Sequence, residues 1–304
     1  MKSHFVLVVG GGFLGRAIAM KLAGGGWRVT LLSPRASEMA WPDGIRAVDG
    51  RQEDTVLLGR LLDGQDAVVH AAWGTTPGSS AERPALEAER GLHPFLAFLD
   101  MLQHYPGMRL LFLSSGGTVY GNPDQLPVTE SAPLQPLSCH GAGKVAAELF
   151  LHLRSRDQTV ILRPSNIYGP GQPLRRDFGV VQHLLRCALE EKPFQMWGDG
   201  SQLRDYLYID DFTDAVSRLA ARPEVSGALN LGSGAGTSLS ELVGLAERAT
   251  KRAIRIEHLP PRPGDVGRIV LDIGRIRQAT DWSPATTLAE GIDRTMRRLD
   301  GSHG

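Results

Sequence analysis

His140 and Lys144 are the two side chains of this sequence whose types and spacing most directly suggest chemistry. They occur in the segment PLSCHGAGK, residues 136–144. In a helix, a spacing of four residues places both side chains on the same face. Imidazole donates and accepts protons near neutral pH, and a neighbouring ammonium group disfavours its charged form. The pair is therefore a candidate for moving a proton to or from a substrate oxygen.

A glycine-rich turn near the N-terminus suggests a second site. Gly10, Gly12 and Gly15 form the pattern G-x-G-x-x-G between the apolar run FVLVV, residues 5–9, and a segment with helical spacing of apolar residues. Such glycines permit a tight turn and let backbone N–H groups approach a pyrophosphate at the positive end of the helix. A glycine turn without a ligand is the alternative. The surrounding strand, helix and strand pattern favours a dinucleotide site.

The residues after the second predicted strand indicate which dinucleotide binds. An acidic residue usually accepts hydrogen bonds from the adenosine ribose of NAD(H) at this place, but the sequence reads LLSPR, residues 31–35. Ser33 carries no charge that repels a 2′-phosphate, and Arg35 can pair with one. This predicts NADP(H) rather than NAD(H), unless Arg35 is only a solvated surface residue. The predicted cofactor-binding residues in this half of the sheet are Gly10, Gly12, Phe13, Leu14, Gly15, Ser33, Arg35, Arg51 and Ala71.

Alternating strands and helices would position both sites. The apolar runs that we interpret as buried strands are residues 5–9, 27–32, 67–72, 109–115 and 159–165, with helical patterns between them. The alternation predicts an α/β fold with a Rossmann-type doubly wound parallel sheet. We predict a dinucleotide-binding domain over 1–165, to which strands from about 203–232 return, and a smaller, mainly substrate-binding region over 166–304.

Composition and charge argue against several classes of function. The 304 residues include 42% apolar residues, and 33 Lys and Arg balance 33 Asp and Glu, so no basic field attracts nucleic acid or a membrane surface. No signal-peptide pattern and no run of membrane-spanning length are present, and we expect a cytoplasmic protein. Cys139 and Cys187 are expected to be free thiols, and we expect no metal site.

Further motifs resemble those of the extended short-chain dehydrogenase/reductase family, which includes nucleotide-sugar epimerases, dehydratases and ketoreductases. The resemblance covers nearly the whole chain and includes Lys144 in the expected place. The other segments that carry it are FLSSGGTVYG (112–121), LRPSNIYGPGQ (162–172), MWGDGSQLRDYLYIDD (196–211), LNLGSG (229–234) and RPGDVGRIVLDIGRIRQATDWSP (262–284). The glycine turn departs slightly from the family pattern, because Val9 stands at the first position of G-x-x-G-x-x-G.

The resemblance implies a catalytic site in which two of three usual residues differ. In this family the tyrosine of a Tyr-x-x-x-Lys pair exchanges a proton with the sugar oxygen, the lysine binds the ribose and lowers the tyrosine pKa, and a Ser or Thr assists. Here His140 stands at the tyrosine position and Gly116 at the Ser/Thr position, while Ser115 and Thr118 are the nearest hydroxyls. The predicted catalytic residues are His140, Lys144, Ser115 and Thr118.

Three interpretations of His140 remain open. It replaces tyrosine as the proton donor or acceptor, or it only binds substrate while Tyr120, Tyr168 or Cys139 acts on the proton. In the third, the site is inactive and the protein is a binding or regulatory subunit.

The later motifs, by the same resemblance, imply a site for the diphosphate of a nucleotide sugar. Two arginines suit the recognition of phosphate oxygens. The alternatives are that Arg204 pairs with Asp205 or Asp210 and that Asp265 caps a turn. The predicted substrate-binding residues are Tyr120, Asn166, Arg204, Arg262 and Asp265.

These expectations combine into a functional hypothesis. We expect an NADP(H)-dependent oxidoreductase that reduces the keto group of a nucleotide-diphosphate 4-keto-deoxysugar, because net reductases of this family consume NADPH. A nucleotide-sugar 4-epimerase that uses bound NAD is the alternative, and a catalytically inactive nucleotide-sugar or NADP-binding protein is the third. The resemblance also implies a homodimer, with the apolar helix that carries Lys144 in the contact.

Overall fold

A parallel sheet forms the centre of the fold in this computed structural model, which describes residues 4–80, 83–153, 158–173, 179–261 and 265–300. Numbered along the chain, its strands are β1 (Phe5–Val9), β2 (Arg28–Ser33), β3 (Ile45–Asp49), β4 (Ala67–His70), β5 (Arg109–Leu113), β6 (Thr159–Pro164) and β10 (Gly227–Leu231). Their spatial order is β10-β6-β5-β4-β1-β2-β3, and all neighbours pair in parallel. The predicted Rossmann-type sheet is confirmed.

Helices cover both faces of the sheet. They are α1 (Phe13–Gly24), α2 (Thr55–Leu62), α3 (Pro84–Glu87), α4 (His93–Leu102), α5 (Cys139–Leu153), α6 (Val180–Leu189), α7 (Ile209–Ala220), α8 (Leu239–Thr250), α9 (Gly274–Thr280) and α10 (Leu288–Asp300). A π-helical turn, Ala88–Leu92, joins α3 to α4. None of the helices in the described residues is long and apolar enough to cross a membrane.

The buried strands are mostly apolar on both sides because each face of the sheet has its own core. In β1, Val6 and Val8 belong to the core that includes α1 and α7, whereas Leu7 and Val9 belong to the core that includes α2, α4 and α5. Successive side chains of a strand point to opposite faces, so two covered faces require an uninterrupted apolar run.

Two small sheets lie outside the central one. The first contains β11 (Gly236–Ser238), β9 (Leu203–Tyr208) and β7 (Asn166–Tyr168), and the second pairs β12 (Ile256–Leu259) with β8 (Phe194–Trp197). Of the later strands predicted from the sequence, β10 joins the central sheet, whereas β9 pairs with β7 and β11 instead. The domain boundary at residue 165 stays a prediction.

The carboxyl ends of the parallel strands meet at one edge of the sheet. The chain order reverses between β1 and β4, and ligands of open α/β sheets bind in the crevice outside such a point. The glycine turn follows β1, the segment 71–76 follows β4, and Ser114 and Ser115 follow β5. This edge therefore gathers the predicted cofactor and catalytic residues.

Candidate active site

The glycine turn has the geometry of a pyrophosphate site. Gly10 has a φ of 109°, and a Cβ built on Gly15 would lie 1.8 Å from the Gly10 carbonyl oxygen, so α1 packs directly on the turn. Around Gly12, by contrast, no atom beyond Gly12 and its two chain neighbours lies within 4 Å of the Cβ position. Gly12 precedes α1 without a side-chain cap, and the first turn of α1 has no acidic residue. The first backbone N–H groups of α1 are thus free for an anion, and these residues fit a dinucleotide.

A carboxylate that the sequence analysis missed lies beside the end of β2. Asp49, at the end of β3, is in register with Ser33, at the end of β2. Its carboxylate accepts hydrogen bonds from the Ser37 backbone N–H, at 2.8 Å, and from the Ser37 hydroxyl, and these bonds lower the pKa of Asp49. The Arg35 side chain is 78% exposed and lies 3.6 Å from Glu38, and Arg51 is also exposed.

His140 and Lys144 are both buried on α5, with 7% and 5% of their surfaces exposed. The Lys144 ammonium donates a hydrogen bond to the Leu113 carbonyl oxygen at 2.7 Å and lies 3.7 Å from the centre of the Trp73 ring. Burial lowers the pKa of Lys144 to about 7. Burial, and then the charge of Lys144, lower the pKa of His140 to about 3. The imidazole is therefore neutral at neutral pH, and burial contributes more to this than the predicted charge repulsion.

Three residues that sequence reasoning missed surround His140. Its Nδ1 atom lies 3.3 Å from the Thr75 hydroxyl oxygen, which donates a hydrogen bond to Glu87 Oε2 at 2.5 Å. The indole N–H of Trp73 donates to Glu87 Oε1 at 2.8 Å. The position of Trp73 and Thr75 directly after the predicted strand at 67–72 was a usable signal, because ligand sites lie at strand ends. For Glu87 no local signal exists.

Tyr120 lies apart from this group, in a buried polar network. Its hydroxyl donates to Asn230 Oδ1 at 2.7 Å and accepts from Arg163 at 2.8 Å, while burial raises its pKa to about 12. Arg163 also pairs with Glu148 at 2.6 Å, and Ser114 donates to that carboxylate. Tyr168 donates to the Leu288 carbonyl oxygen, and burial raises its pKa. Both tyrosines are therefore engaged with protein groups rather than with His140.

Two of the predicted substrate residues, Asn166 and Arg204, lie on the paired strands β7 and β9. Asn166 donates to the Asp205 carbonyl oxygen at 3.0 Å, and Arg204 donates to the carbonyl oxygens of Leu203 and Gly267 at 3.0 and 3.2 Å. Within the described residues Arg204 forms no ion pair with Asp205 or Asp210. The Asp205 carboxylate instead accepts from Ser233, Gly234 and Leu271. Asp265 is exposed, and Arg262 lies outside the described residues.

An open cavity lies at the ends of β8 and β12. It has a volume of about 610 Å³, and Gly198, Asp199, Gln202, His258, Leu259 and Pro261 line it.

Comparison with known proteins decides the family. Residues 6–232 match the sequence profile of the NAD dependent epimerase/dehydratase family. The chain belongs to this family. A putative UDP-glucose 4-epimerase of Methanocaldococcus jannaschii is 31% identical over 98% of this chain and 99% of its own. The family assignment agrees with the resemblance found in the sequence.

Solved structures of family members are also similar. The UDP-glucose 4-epimerase of Thermus thermophilus, in complex with NAD, is 30% identical, has a TM-score of 0.89, and is matched over 98% of this chain and 99% of its own. That of Thermotoga maritima, with UDP-glucose, is 27% identical with a TM-score of 0.89 over 99% and 100% of the two chains. The protein is thus a member of an enzyme family of the extended short-chain dehydrogenase/reductase type. This family uses nicotinamide cofactors.

The Gly116 position of this family member has no room for the usual hydroxyl. A Cβ built on Gly116 would lie 2.6 Å from the Arg163 carbonyl oxygen and 2.7 Å from Leu271. Ser115 is half-buried, and the Thr118 hydroxyl oxygen is buried without a partner among the described residues. The Thr118 carbonyl oxygen lies only 2.7 Å from a Cβ built on Gly141, so Thr118 adjoins the first turn of α5.

Proposed function

We propose that the protein is a nucleotide-sugar 4-epimerase, in which an alcohol of the sugar is oxidised to a ketone and reduced again from the opposite side. The observation that carries the proposal is the buried imidazole of His140, one helical turn from the buried Lys144, at the sheet edge that holds the glycine turn. The epimerase relatives, which match nearly the whole chain, support this reaction over the net reduction expected from the sequence.

Each group of residues has a role in this proposal. Gly10, Gly12 and the first turn of α1 bind the pyrophosphate of the dinucleotide. A dinucleotide held there would supply a hydride acceptor for the sugar carbon and, once reduced, a hydride donor. His140 accepts the hydroxyl proton as the ketone forms and gives it back afterwards. Burial makes this imidazole a weak base, so the proton moves to it only as the oxygen becomes a carbonyl, and the transfer is less efficient than with a base whose pKa lies near the operating pH.

The nucleotide end of the substrate is assigned to the region around Arg204. Its guanidinium uses one nitrogen for two backbone carbonyls, which leaves further N–H donors for phosphate oxygens. Asn166 lies on the neighbouring strand, and the cavity at Gly198 and His258 opens at the ends of β8 and β12. We propose that this region holds the nucleoside diphosphate, with the exposed Asp265 at its rim.

The proposed cofactor is NAD, retained through the cycle. The charged Asp49 carboxylate beside Ser33 disfavours a 2′-phosphate and supplies the kind of acceptor that NAD enzymes use for the ribose. The second candidate function is the NADPH-dependent ketoreductase expected from the sequence. Its specific support is Arg35, which is exposed and follows the end of β2, where a 2′-phosphate would be recognised.

One experiment separates these functions. The purified protein is denatured and the released dinucleotide identified, and the intact protein is then incubated with UDP-glucose or UDP-galactose without added cofactor while inversion at C4 is followed by proton NMR. We expect released NAD and inversion, and no inversion above the background rate in a His140→Phe protein that still carries NAD. An empty site, together with NADPH oxidation on a 4-keto sugar nucleotide, would support the reductase instead. Ligand binding without either reaction would support the inactive protein.

The predicted homodimer has a candidate contact on α5. Leu149, Phe150 and Leu153 lie on one side of this helix and are 58%, 39% and 76% exposed. An apolar strip of this kind on a helix is suited to pairing with the same helix of a second copy. The dimer and the cytoplasmic location stay predictions.

A further inference from the structure

We propose that Thr75 and Glu87 are positioning residues that hold His140 in the tautomer with hydrogen on Nδ1, which leaves Nε2 as the atom that accepts the substrate proton. The role given to Nε2 rests on the proposed function. The tautomer itself depends only on residues of this chain.

The hydrogen-bond chain begins at Glu87, which is buried with 3% of its surface exposed. The Trp73 indole nitrogen can only donate, and it donates to Oε1 at 2.8 Å. The other carboxylate oxygen, Oε2, accepts the Thr75 hydroxyl hydrogen at 2.5 Å. As a carboxylate, Glu87 has no hydrogen of its own to offer. Glu87 is therefore the acceptor in both of these hydrogen bonds.

The direction of the first bond decides the second. A threonine hydroxyl has one hydrogen and two lone pairs, and the hydrogen of Thr75 is directed to Glu87. Towards His140, Thr75 can then only accept, so the hydrogen between them belongs to Nδ1, 3.3 Å away. A neutral imidazole has a single N–H, and burial together with the Lys144 charge keeps the ring neutral by lowering its pKa. Nε2 therefore carries a lone pair.

The second ring nitrogen has no partner in the described part of the chain. Nε2 of His140 makes no hydrogen bond with the described residues, and 7% of the His140 surface is exposed. The ring stands edge-on to Trp73 with 6.4 Å between the ring centres. Lys144 is the charged group beside it on α5 and is held by Leu113, while Glu87 is the charged group behind Thr75.

This arrangement suits the oxidising half of the proposed reaction. The O–H bond of the sugar breaks, its proton forms an N–H bond at Nε2, and the hydride from the same carbon leaves to the dinucleotide. In the return half, the Nε2 hydrogen goes back to the oxygen as hydride returns to carbon, so the cycle consumes nothing. A tautomer with hydrogen on Nε2 could not accept the proton in the first half.

Nitrogen-15 NMR of the histidine-labelled protein tests the tautomer directly. Protonated and unprotonated ring nitrogens of a neutral imidazole have well-separated shifts, and the His140→Phe spectrum identifies the signals of His140. We expect Nδ1–H in the wild type and in Thr75→Ser, which keeps the hydroxyl. In Glu87→Gln, the indole N–H of Trp73 still donates to the side-chain amide oxygen. The amide nitrogen then donates to the Thr75 hydroxyl oxygen, and the Thr75 hydroxyl hydrogen is donated to Nδ1 of His140. We expect that variant to show Nε2–H.

The control is Glu89→Gln, which removes an exposed carboxylate two residues away and is expected to keep the wild-type tautomer. Thr75→Val keeps the shape but removes both hydrogen bonds, and we expect averaged ring signals. An Nε2–H wild type, or an unchanged tautomer in both Glu87→Gln and Thr75→Val, would overturn the proposal. If the tautomers behave as expected but no sugar nucleotide is epimerised, the roles proposed for Thr75 and Glu87 are supported and the proposed epimerase function is wrong.

Turnover provides a second readout if the enzyme is active. A wrong tautomer in a comparable hydrogen-bonded site lowers kcat by about 10⁴-fold, and positioned acid–base catalysis is generally worth about 10²–10⁴-fold. We expect Glu87→Gln to lower kcat within this range with a nearly unchanged KM for the sugar nucleotide. Thr75→Ser should retain most activity. A higher KM with an unchanged kcat in Glu87→Gln would indicate a purely structural role.

Discussion

His70 and His140 should make the protein less stable as the pH falls below about 6.5. Both are buried, and burial, with the Lys144 charge as a smaller cause, lowers the pKa of each to about 3 from its usual 6.5. Between these values the unfolded chain binds protons that the folded chain does not. The free energy of unfolding therefore rises with pH in this window and is lost as the pH falls through 6.5 towards 3.

The magnitude follows from the two shifts. One pKa unit corresponds to about 1.4 kcal/mol, and titration of an ordinary histidine between pH 6.5 and 5.5 gives about 1 kcal/mol for each group, or about 2 kcal/mol for the pair. Lys144 adds nothing here, because its folded pKa of about 7 leaves it largely charged in both states below that pH. Burial also lowers the pKa of His183, which acts in the same direction.

Urea unfolding at pH 5.5, 6.0 and 6.5 measures the effect. His70→Phe places another apolar ring near Phe95 and Phe98 and removes the bond to Gln52, so it changes stability at every pH. The difference between its free energies of unfolding at pH 6.5 and 5.5 should nevertheless be about 1 kcal/mol smaller than in the wild type. The matched control is His104→Gln on an exposed side chain, for which the wild-type difference is expected. An undiminished difference in His70→Phe would refute the reasoning.

Four further predictions address the site and its support. Gly15→Ala should lower the free energy of unfolding by about 1–3 kcal/mol in a denaturant titration, because its Cβ would meet the Gly10 carbonyl oxygen. Gly12→Ala should leave the free energy of unfolding nearly unchanged but weaken dinucleotide binding in calorimetry. Glu148→Gln should cost about 3–5 kcal/mol in the same titration, because it leaves the buried Arg163 without its carboxylate. Arg204→Ala should weaken binding of a nucleoside diphosphate by about 1.5–3 kcal/mol in calorimetry. Leu153→Glu should shift the mass measured by light scattering from dimer to monomer.

Matched variants control these predictions. Glu190→Gln breaks an exposed pair with Arg186 and should change stability by no more than about 0.5 kcal/mol. Arg218→Ala, on the surface of α7, should leave nucleotide binding unchanged. Equal stability losses in Glu148→Gln and Glu190→Gln would contradict the importance of the buried pair. Normal nucleotide binding by folded Arg204→Ala would return that residue to a structural role.

Local sequence patterns predicted the sheet and the glycine turn because both depend on near neighbours. The apolar runs gave the strands, and G-x-G-x-x-G lies where β1 meets α1, as predicted. The spacing of His140 and Lys144 also indicated correctly that they share a helix, α5. Periodicity sufficed for these features, since each is determined within about 15 residues of chain.

Features that depend on distant segments were not predictable in this way. Asp49 lies beside the end of β2 only because β2 pairs with β3. This carboxylate next to Ser33 could not be inferred from the residues of β2 alone. Glu87 reaches α5 because Gly143 has no side chain there: a Cβ on Gly143 would lie 2.5 Å from the Glu87 carboxylate. Neither contact leaves a periodic pattern in the sequence.

The two departures from the family motif have a common geometric basis. A hydroxyl at position 116 has no room, because the Arg163 carbonyl oxygen and Leu271 lie where its Cβ would be. The hydroxyl that contacts residue 140 instead comes from Thr75, after the neighbouring strand β4, and is anchored by Glu87. A hydroxyl that must accept from residue 140 suits an imidazole, whose second nitrogen remains free for substrate, but not a phenol, whose single hydrogen would be consumed. The tautomer proposed for His140 would thus account for a histidine at a site where the hydroxyl approaches from the β4 side rather than from position 116.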